Sequence, residues 1–304
     1  MPLSPDELRP RLRGVLAFPI TPFNDDLSLN GAAYQSQVDY LVTSGLHAIV
    51  AAGGTGELYS MTPSEIVRVY RLAVDAANGR VPVIAGVGYN LAMAQDLARE
   101  AERAGADAVL MLPHYYGRAE DEGLYRYYAG IASSVGIAVF PYARDAAVLG
   151  PGIVSRLAEI PNVVAFKDGQ ADLRAWARIR DSVGDRLVWL AGVGDDMVNS
   201  YFAAGAEGFT SSAANFMPDV ALGLFRAAQA GDFATVNTLI ATWVQPIFNI
   251  RSRHRGYEVT TTKEAMNLLG RFGGRVRPPL AELTDQDRSD LRAALVKMGL
   301  LTST

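Results

Sequence analysis

The chain has 304 residues, 49% hydrophobic and 20% charged, with a formal net charge of −4. That length suits one large α/β core, since single cores stop growing near ~250–300 residues, and the absence of a basic block leaves a nucleic-acid or anionic-membrane partner without electrostatic support. There is no cysteine, which excludes disulfides, thiolate nucleophiles and thiolate metal sites together.

Along the chain, Met1 to Arg13 carries prolines and charges in place of an apolar signal core, so no signal peptide is expected. Nowhere does an apolar run approach the ~18 residues needed to span a bilayer, and a cytoplasmic location is expected. Eight short apolar runs of β type then follow one another: Gly14–Phe18, Ala48–Ala51, Val81–Gly86, Ala108–Leu112, Ile137–Phe140, Val163–Phe166, Leu187–Ala191 and Gly208–Ser211. Continuous apolarity is the signature of strands buried on both faces. Amphipathic segments separate the runs, at the spacing of strand–helix units in a parallel sheet. Three junctions share a pattern in which a helix-like segment ends in glycine just before the next run, at Gly45, Gly105 and Gly205. Glycine past a helix end takes the left-handed conformation without a Cβ clash. Thr62-Pro63-Ser64-Glu65 reads as a helix start, with an N-cap, a first-turn proline and a first-turn acid.

After residue 222 the β-type runs stop, and helices are expected at Leu224–Ala230, Phe233–Asn249, Thr261–Leu269 and Asp285–Met298, with Pro278-Pro279 as a break before the last. The reading is a (β/α)8 TIM barrel over residues 1–222 with a C-terminal helical extension over 223–304. An open doubly wound sheet is the alternative; against it, no Gly-x-Gly-x-x-Gly follows the first run.

In a barrel, chemistry sits where strands pass into βα loops. After the second run comes Gly53-Gly54-Thr55-Gly56-Glu57, whose backbone N–H groups can approach an anion closely, or which is a plain tight turn. Pro113-His114-Tyr115-Tyr116-Gly117 follows the fourth run and reads first as packing or subunit contact. Tyr142 follows the fifth, either as a proton shuttle or as a core aromatic with a satisfied hydroxyl. Lys167 follows the sixth. A lysine at an apolar barrel mouth either snorkels to solvent or is held desolvated, where burial favours the neutral amine that attacks carbonyls. After the eighth run, Thr210-Ser211-Ser212-Ala213-Ala214-Asn215 offers small polar groups for a polyhydroxy or carboxylate end, or caps the next helix. Gly192-Val193-Gly194-Asp195-Asp196 follows the seventh, and its two acids would repel phosphate. The three histidines, His47, His114 and His254, lack metal-ligand spacing. Arg251-Ser252-Arg253-His254-Arg255 is a solvated helix end or a partner for a dicarboxylate.

Taken in order, Phe18-Pro19-Ile20-Thr21-Pro22-Phe23, Gly53-Gly54-Thr55-Gly56-Glu57, Tyr115-Tyr116, Tyr142 and Lys167 resemble the dihydrodipicolinate synthase/N-acetylneuraminate lyase superfamily over nearly the whole chain. The resemblance implies an imine-forming Lys167, a proton-shuttling Tyr142, a keto-acid carboxylate held by Gly54 and Thr55, and a relay role for Thr55. It further implies that Tyr116 reaches a neighbouring subunit in a homo-oligomer, commonly a tetramer. Within the superfamily, Gly54, the stretch Tyr142 to Leu149, Ser211 to Phe216 and Gly256-Tyr257-Glu258-Val259 before Lys263 resemble the 5-dehydro-4-deoxyglucarate dehydratase branch. Ala143 stands where the family commonly has asparagine. Ala147 stands where the synthase branch has an arginine, which argues against dihydrodipicolinate synthesis. The implied activity is a decarboxylating dehydration of a keto-acid sugar, with no metal or organic cofactor because the imine is the electron sink. Ser211, Ser212 and Asn215 are candidates for its hydroxyls and distal carboxylate, with Arg144 a weaker one. A pyruvate-dependent aldolase or synthase of the same fold, and a non-catalytic keto-acid-binding barrel, are the alternatives.

Overall fold

The computed structural model describes residues 2–114 and 117–302. Eight parallel strands close into a barrel in sequence order: β1 (Val15–Ala17), β2 (Ala48–Ala51), β3 (Val83–Val87), β4 (Ala108–Met111), β5 (Ala138–Ala143), β6 (Ala165–Asp168), β7 (Val188–Ala191) and β8 (Gly208–Ser211), with β8 paired back to β1. Each of the eight apolar runs contains or overlaps one strand. The three junction glycines have φ of 89°, 90° and 88° at Gly45, Gly105 and Gly205. The helix Pro63–Ala77 begins with the reciprocal Thr62–Glu65 capping box.

Side chains alternate across each strand. One parity, including Leu16, Val50, Ile84, Leu110, Phe140 and Leu190, fills the barrel interior; the other, including Val15, Ile49, Val109, Val139, Phe166 and Trp189, packs under the helices. Leu8 and Leu12, from the turns preceding β1, join the interior cluster.

Two differences from the sequence reading matter for the site. The apolar runs end at Phe140 and Phe166, whereas β5 and β6 continue to Ala143 and Asp168. Tyr142 and Lys167 therefore lie within strands, not beyond them. Polar inward side chains end the apolar pattern, but the backbone pairing continues, with Gly169 N–H donating to Ala143 O at 2.8 Å. Residue 222 falls inside the helix Pro218–Gln229, which packs on β8 and β1. The helix completing the eighth unit thus ends at Gln229, because its apolar face continues the barrel's outer layer.

Beyond it, the expected helix Phe233–Asn249 is divided into Phe233–Leu239, a π-helical turn Ile240–Val244 and Gln245–Arg251. Pro246 lacks the N–H that regular helix would use, and the wider turn absorbs the loss. Helices Tyr257–Leu268 and Asp285–Lys297 follow, separated by Pro278-Pro279. A third apolar cluster joins Ile20, Phe216 and Met217 to Ile247, Met266 and Leu291, so the C-terminal helices pack against loops at the end of the barrel where the strands terminate. Among the described residues, no helix is long and apolar enough to cross a membrane, and no acidic and histidine cluster has the arrangement of a metal site.

Candidate active site

The inward parity of β5 runs Phe140, Tyr142, and that of β6 runs Ala165, Lys167. Tyr142 and Lys167 are register partners, so the alternation that fills the barrel also delivers both side chains to its upper layer. Lys167 Nζ sits 3.3 Å from the centroid of the Tyr142 ring and 4.8 Å from that of Phe18. Only 3% of Lys167 is exposed, and no carboxylate among the described residues lies within salt-bridge distance of it. Burial, reinforced by the nearby Arg144 charge and only partly countered by Asp168, holds its pKa well below the ordinary lysine value. A neutral amine facing a cavity is a nucleophile for carbonyl carbon. The snorkelling alternative does not hold for this side chain.

Two glycines make the arrangement possible. A Cβ at Gly192 would stand 2.7 Å from Lys167 Cγ, and one at Gly169 would stand 2.8 Å from Tyr142 Oη. Any larger residue at either position displaces the pair. The Tyr142 hydroxyl donates to Gly192 O at 3.2 Å and accepts from Arg144 Nη1 at 3.4 Å. Burial raises the Tyr142 pKa, with the Arg144 charge opposing.

A cavity of about 240 Å³ opens above these groups. Its wall includes Gly54, Thr55, Tyr142, Lys167, Ser211 and Ser212, so six of the eight site residues expected from the sequence come together. The position of a Cβ at Gly54 is open space; glycine there leaves room in the cavity that a threonine or serine would occupy. Tyr116 lies outside the described residues.

Asn215 is a correction. It is fully buried, does not line the cavity, and accepts from Ile20 N–H at 3.1 Å and from Gln37 Nε2 at 3.0 Å while donating to Phe18 O at 2.8 Å and Ser212 O at 2.9 Å. With both ends of its amide engaged, it clamps the loops after β1 and β8 and has no capacity for a ligand. Ser211 does face the cavity, but its hydroxyl donates to Asp195 Oδ1 and accepts from Ala214 N–H at 2.9 Å. It is therefore committed to the protein in this state. Ser212 Oγ accepts from Arg251 Nη1 at 3.1 Å.

The sequence left several contributors open or unseen. Arg144 and Arg251 both line the cavity, as do Glu258 and Val259 from the helix Tyr257–Leu268. Asp195, completely buried behind Ser211, has its pKa raised to about 6, mainly by desolvation. The acidic pair after β7 was the available signal for Asp195, read there only as a repeller of phosphate. Arg253, by contrast, points away to Asp287 and Asp290 at 2.7 and 2.6 Å.

Fold and site together define a (β/α)8 barrel with a desolvated lysine and a tyrosine presented near the strand ends to a small cavity of mixed polar and apolar lining. The profile of the dihydrodipicolinate synthetase family matches residues 11–298, and the chain belongs to that family. A protein of Bradyrhizobium diazoefficiens named as a probable 5-dehydro-4-deoxyglucarate dehydratase is 37% identical, over 99% of this chain and 98% of its own. One of the same name from Chelativorans sp. is 38% identical over 97% and 98%. Among solved structures, dihydrodipicolinate synthase from Bacillus clausii superposes with a TM-score of 0.92 at 29% identity, over 96% of this chain and 99% of its own. The pyruvate complex of the Acinetobacter baumannii synthase gives 0.88 at 29% identity, over 95% and 100%.

Proposed function

We propose that this chain is a lyase that converts 5-dehydro-4-deoxy-D-glucarate to 2,5-dioxopentanoate, water and carbon dioxide through an imine on Lys167. The observation that carries the chemistry is the buried Lys167, without a salt-bridge partner among the described residues, stacked on its register partner Tyr142. The naming of relatives across nearly the full length supports the substrate.

The ketone stands beside one carboxylate, which this reading assigns to Gly54 and Thr55 in the cavity wall. The amine of Lys167 adds to the ketone, and loss of water leaves a protonated imine. That cation acidifies the adjacent methylene. Tyr142, bridging Gly192 O and Arg144, is the candidate to pass protons to and from the reacting atoms. The resulting enamine expels the β-hydroxyl as water. The conjugated imine then accepts the electron pair released when the distal carboxylate leaves as carbon dioxide. Protonation and hydrolysis free the product and restore the amine. The electron sink is the imine itself.

The test is product analysis with 5-dehydro-4-deoxy-D-glucarate and no added metal. Carbon dioxide and 2,5-dioxopentanoate in equal amounts support the reading; pyruvate released in their place would make the chain an aldolase of the same fold. Family resemblance supports a homotetramer, which sedimentation velocity tests, and a cytoplasmic location belongs to the same reading.

A further inference from the structure

The residue that follows Lys167 is also charged and buried. Asp168 ends β6, points to the outer face of the barrel wall and is only 4% exposed. Its Oδ2 accepts from the Tyr201 hydroxyl. Tyr201, on the helix Val198–Ala203, accepts in turn from Ala171 N–H at 3.1 Å and lies edge-on to Trp176, with ring centroids 5.1 Å apart. Asp168 O accepts from Gly192 N–H at 2.6 Å, so side chain and main chain are both fixed. The donors to the carboxylate are neutral, and among the described residues no lysine, arginine or histidine comes within salt-bridge distance of it. Tyr142, Arg144 and Asp145 face the pair from β5 and the turn after it, Asp172 from the start of the helix Leu173–Val183, and Tyr59, Arg251 and Glu258 from across the cavity. Arg144 opposes a charge on Lys167, whereas Asp168 favours one. A buried carboxylate without a counter-ion is costly to maintain.

The imine step creates the missing cation. A neutral amine, a ketone and one proton become an iminium and water, so the charge at Lys167 rises by one. We infer that Asp168, anchored by Tyr201, is a positioning residue for this step: its fixed negative charge behind β6 stabilises the iminium while touching neither the amine nor the substrate. Placement on the outer face is what makes this workable. A carboxylate in contact with Lys167 would pair with its ammonium form and suppress attack on the ketone, and one inside the cavity would repel an acidic substrate. Through the strand, the charge acts across low-dielectric protein and is little screened. This inference rests on the imine reading of Lys167.

The experiment compares the unaltered protein with Asp168→Asn, which still accepts from Tyr201, and with Tyr201→Phe, which loses that hydrogen bond and keeps the charge. Trace acetylation with acetic anhydride across a pH series, read by digestion and mass spectrometry, gives the midpoint at which Lys167 becomes reactive, with exposed Lys297 as internal reference. Borohydride trapping gives the half-saturating pyruvate concentration. Asp168→Asn should move the Lys167 midpoint to lower pH and yet raise half-saturating pyruvate by about 10-fold, the size of one charge acting through protein. Tyr201→Phe should leave the midpoint above that of Asp168→Asn. A merely structural role would open the site to water and move the Lys167 midpoint up. A midpoint unchanged or raised in Asp168→Asn, half-saturating pyruvate left where it was, or equal shifts in the two variants overturns the role of Asp168. Acetylation of Lys167 with no pyruvate trapped by the unaltered protein overturns the imine reading and the inference with it.

Discussion

Lys263 Nζ lies 2.5 Å from Glu57 Oε1, with both side chains withdrawn from solvent. Glu57 closes the loop that carries Gly54 and Thr55, and Lys263 belongs to the helix that brings Glu258 and Val259 to the cavity. The pair is completed by main-chain groups: Lys263 donates to Arg275 O at 2.6 Å, and Arg277 N–H donates to Glu57 Oε2 at 3.2 Å. Glu57 adopts a left-handed backbone, φ 54°, as does Ala52, φ 51°, a conformation that persists only where surrounding contacts hold it.

Removing one partner leaves an uncompensated buried charge. Lys263→Met should therefore lower unfolding free energy by about 3–5 kcal/mol, measured by urea denaturation. The double variant with Glu57→Gln should recover part of the loss. Equal stability of Lys263→Met and the unaltered chain would mean that the pair does not tie the loop to the helix.

Tyr142→Phe keeps the ring on which Lys167 rests and removes the hydroxyl that joins Gly192 O to Arg144. Turnover should fall by about 10²–10⁴-fold, the range for losing a positioned acid–base group, while borohydride still traps a keto acid. Steady-state kinetics beside trapping separates the two steps; unchanged turnover would remove Tyr142 from the proton transfers.

Asp195 gives a stability prediction with a defined sign. Its folded pKa is about 6 against an ordinary 3.8, so between those values the folded chain binds a proton that the unfolded chain does not. Ionised Asp195 is thus a burden at and above neutral pH that fades as pH falls towards 4. Asp195→Asn, which can still accept from Ser211, should be more stable than the unaltered chain at pH 8, by on the order of 2–3 kcal/mol, with the difference gone near pH 4. Thermal unfolding across that range checks it; a gap that widens on acidification would contradict the assignment.

How legible the site was in sequence follows from what each residue does. Lys167 and Tyr142 stand out because they interrupt or follow apolar strands, where a polar group needs a reason. The strand limits were missed at those same two positions, since hydrophobicity reports burial and not hydrogen bonding. Asn215 was misassigned because a small polar residue at a loop mouth looks alike whether it holds a ligand or two loops. Arg251 was left undecided because its run contains residues pointing both ways, Arg253 to Asp287 and Arg251 to Ser212. That direction is set by the C-terminal helices, whose packing over the strand ends is a long-range property. The pairing of Glu57 with Lys263 spans most of the chain, and no local pattern announces it.

The chain holds only three lysines, Lys167, Lys263 and Lys297, which makes one measurement especially direct. Lys263 is buried in its ion pair and Lys297 is exposed on the last helix. Protein reduced with borohydride in the presence of pyruvate should, on digestion and mass spectrometry, carry the reduced pyruvyl adduct on the peptide containing Lys167, and Lys167→Ala should carry none. Label on Lys297 alone, or labelling that survives Lys167→Ala, would contradict the imine on which the whole account stands.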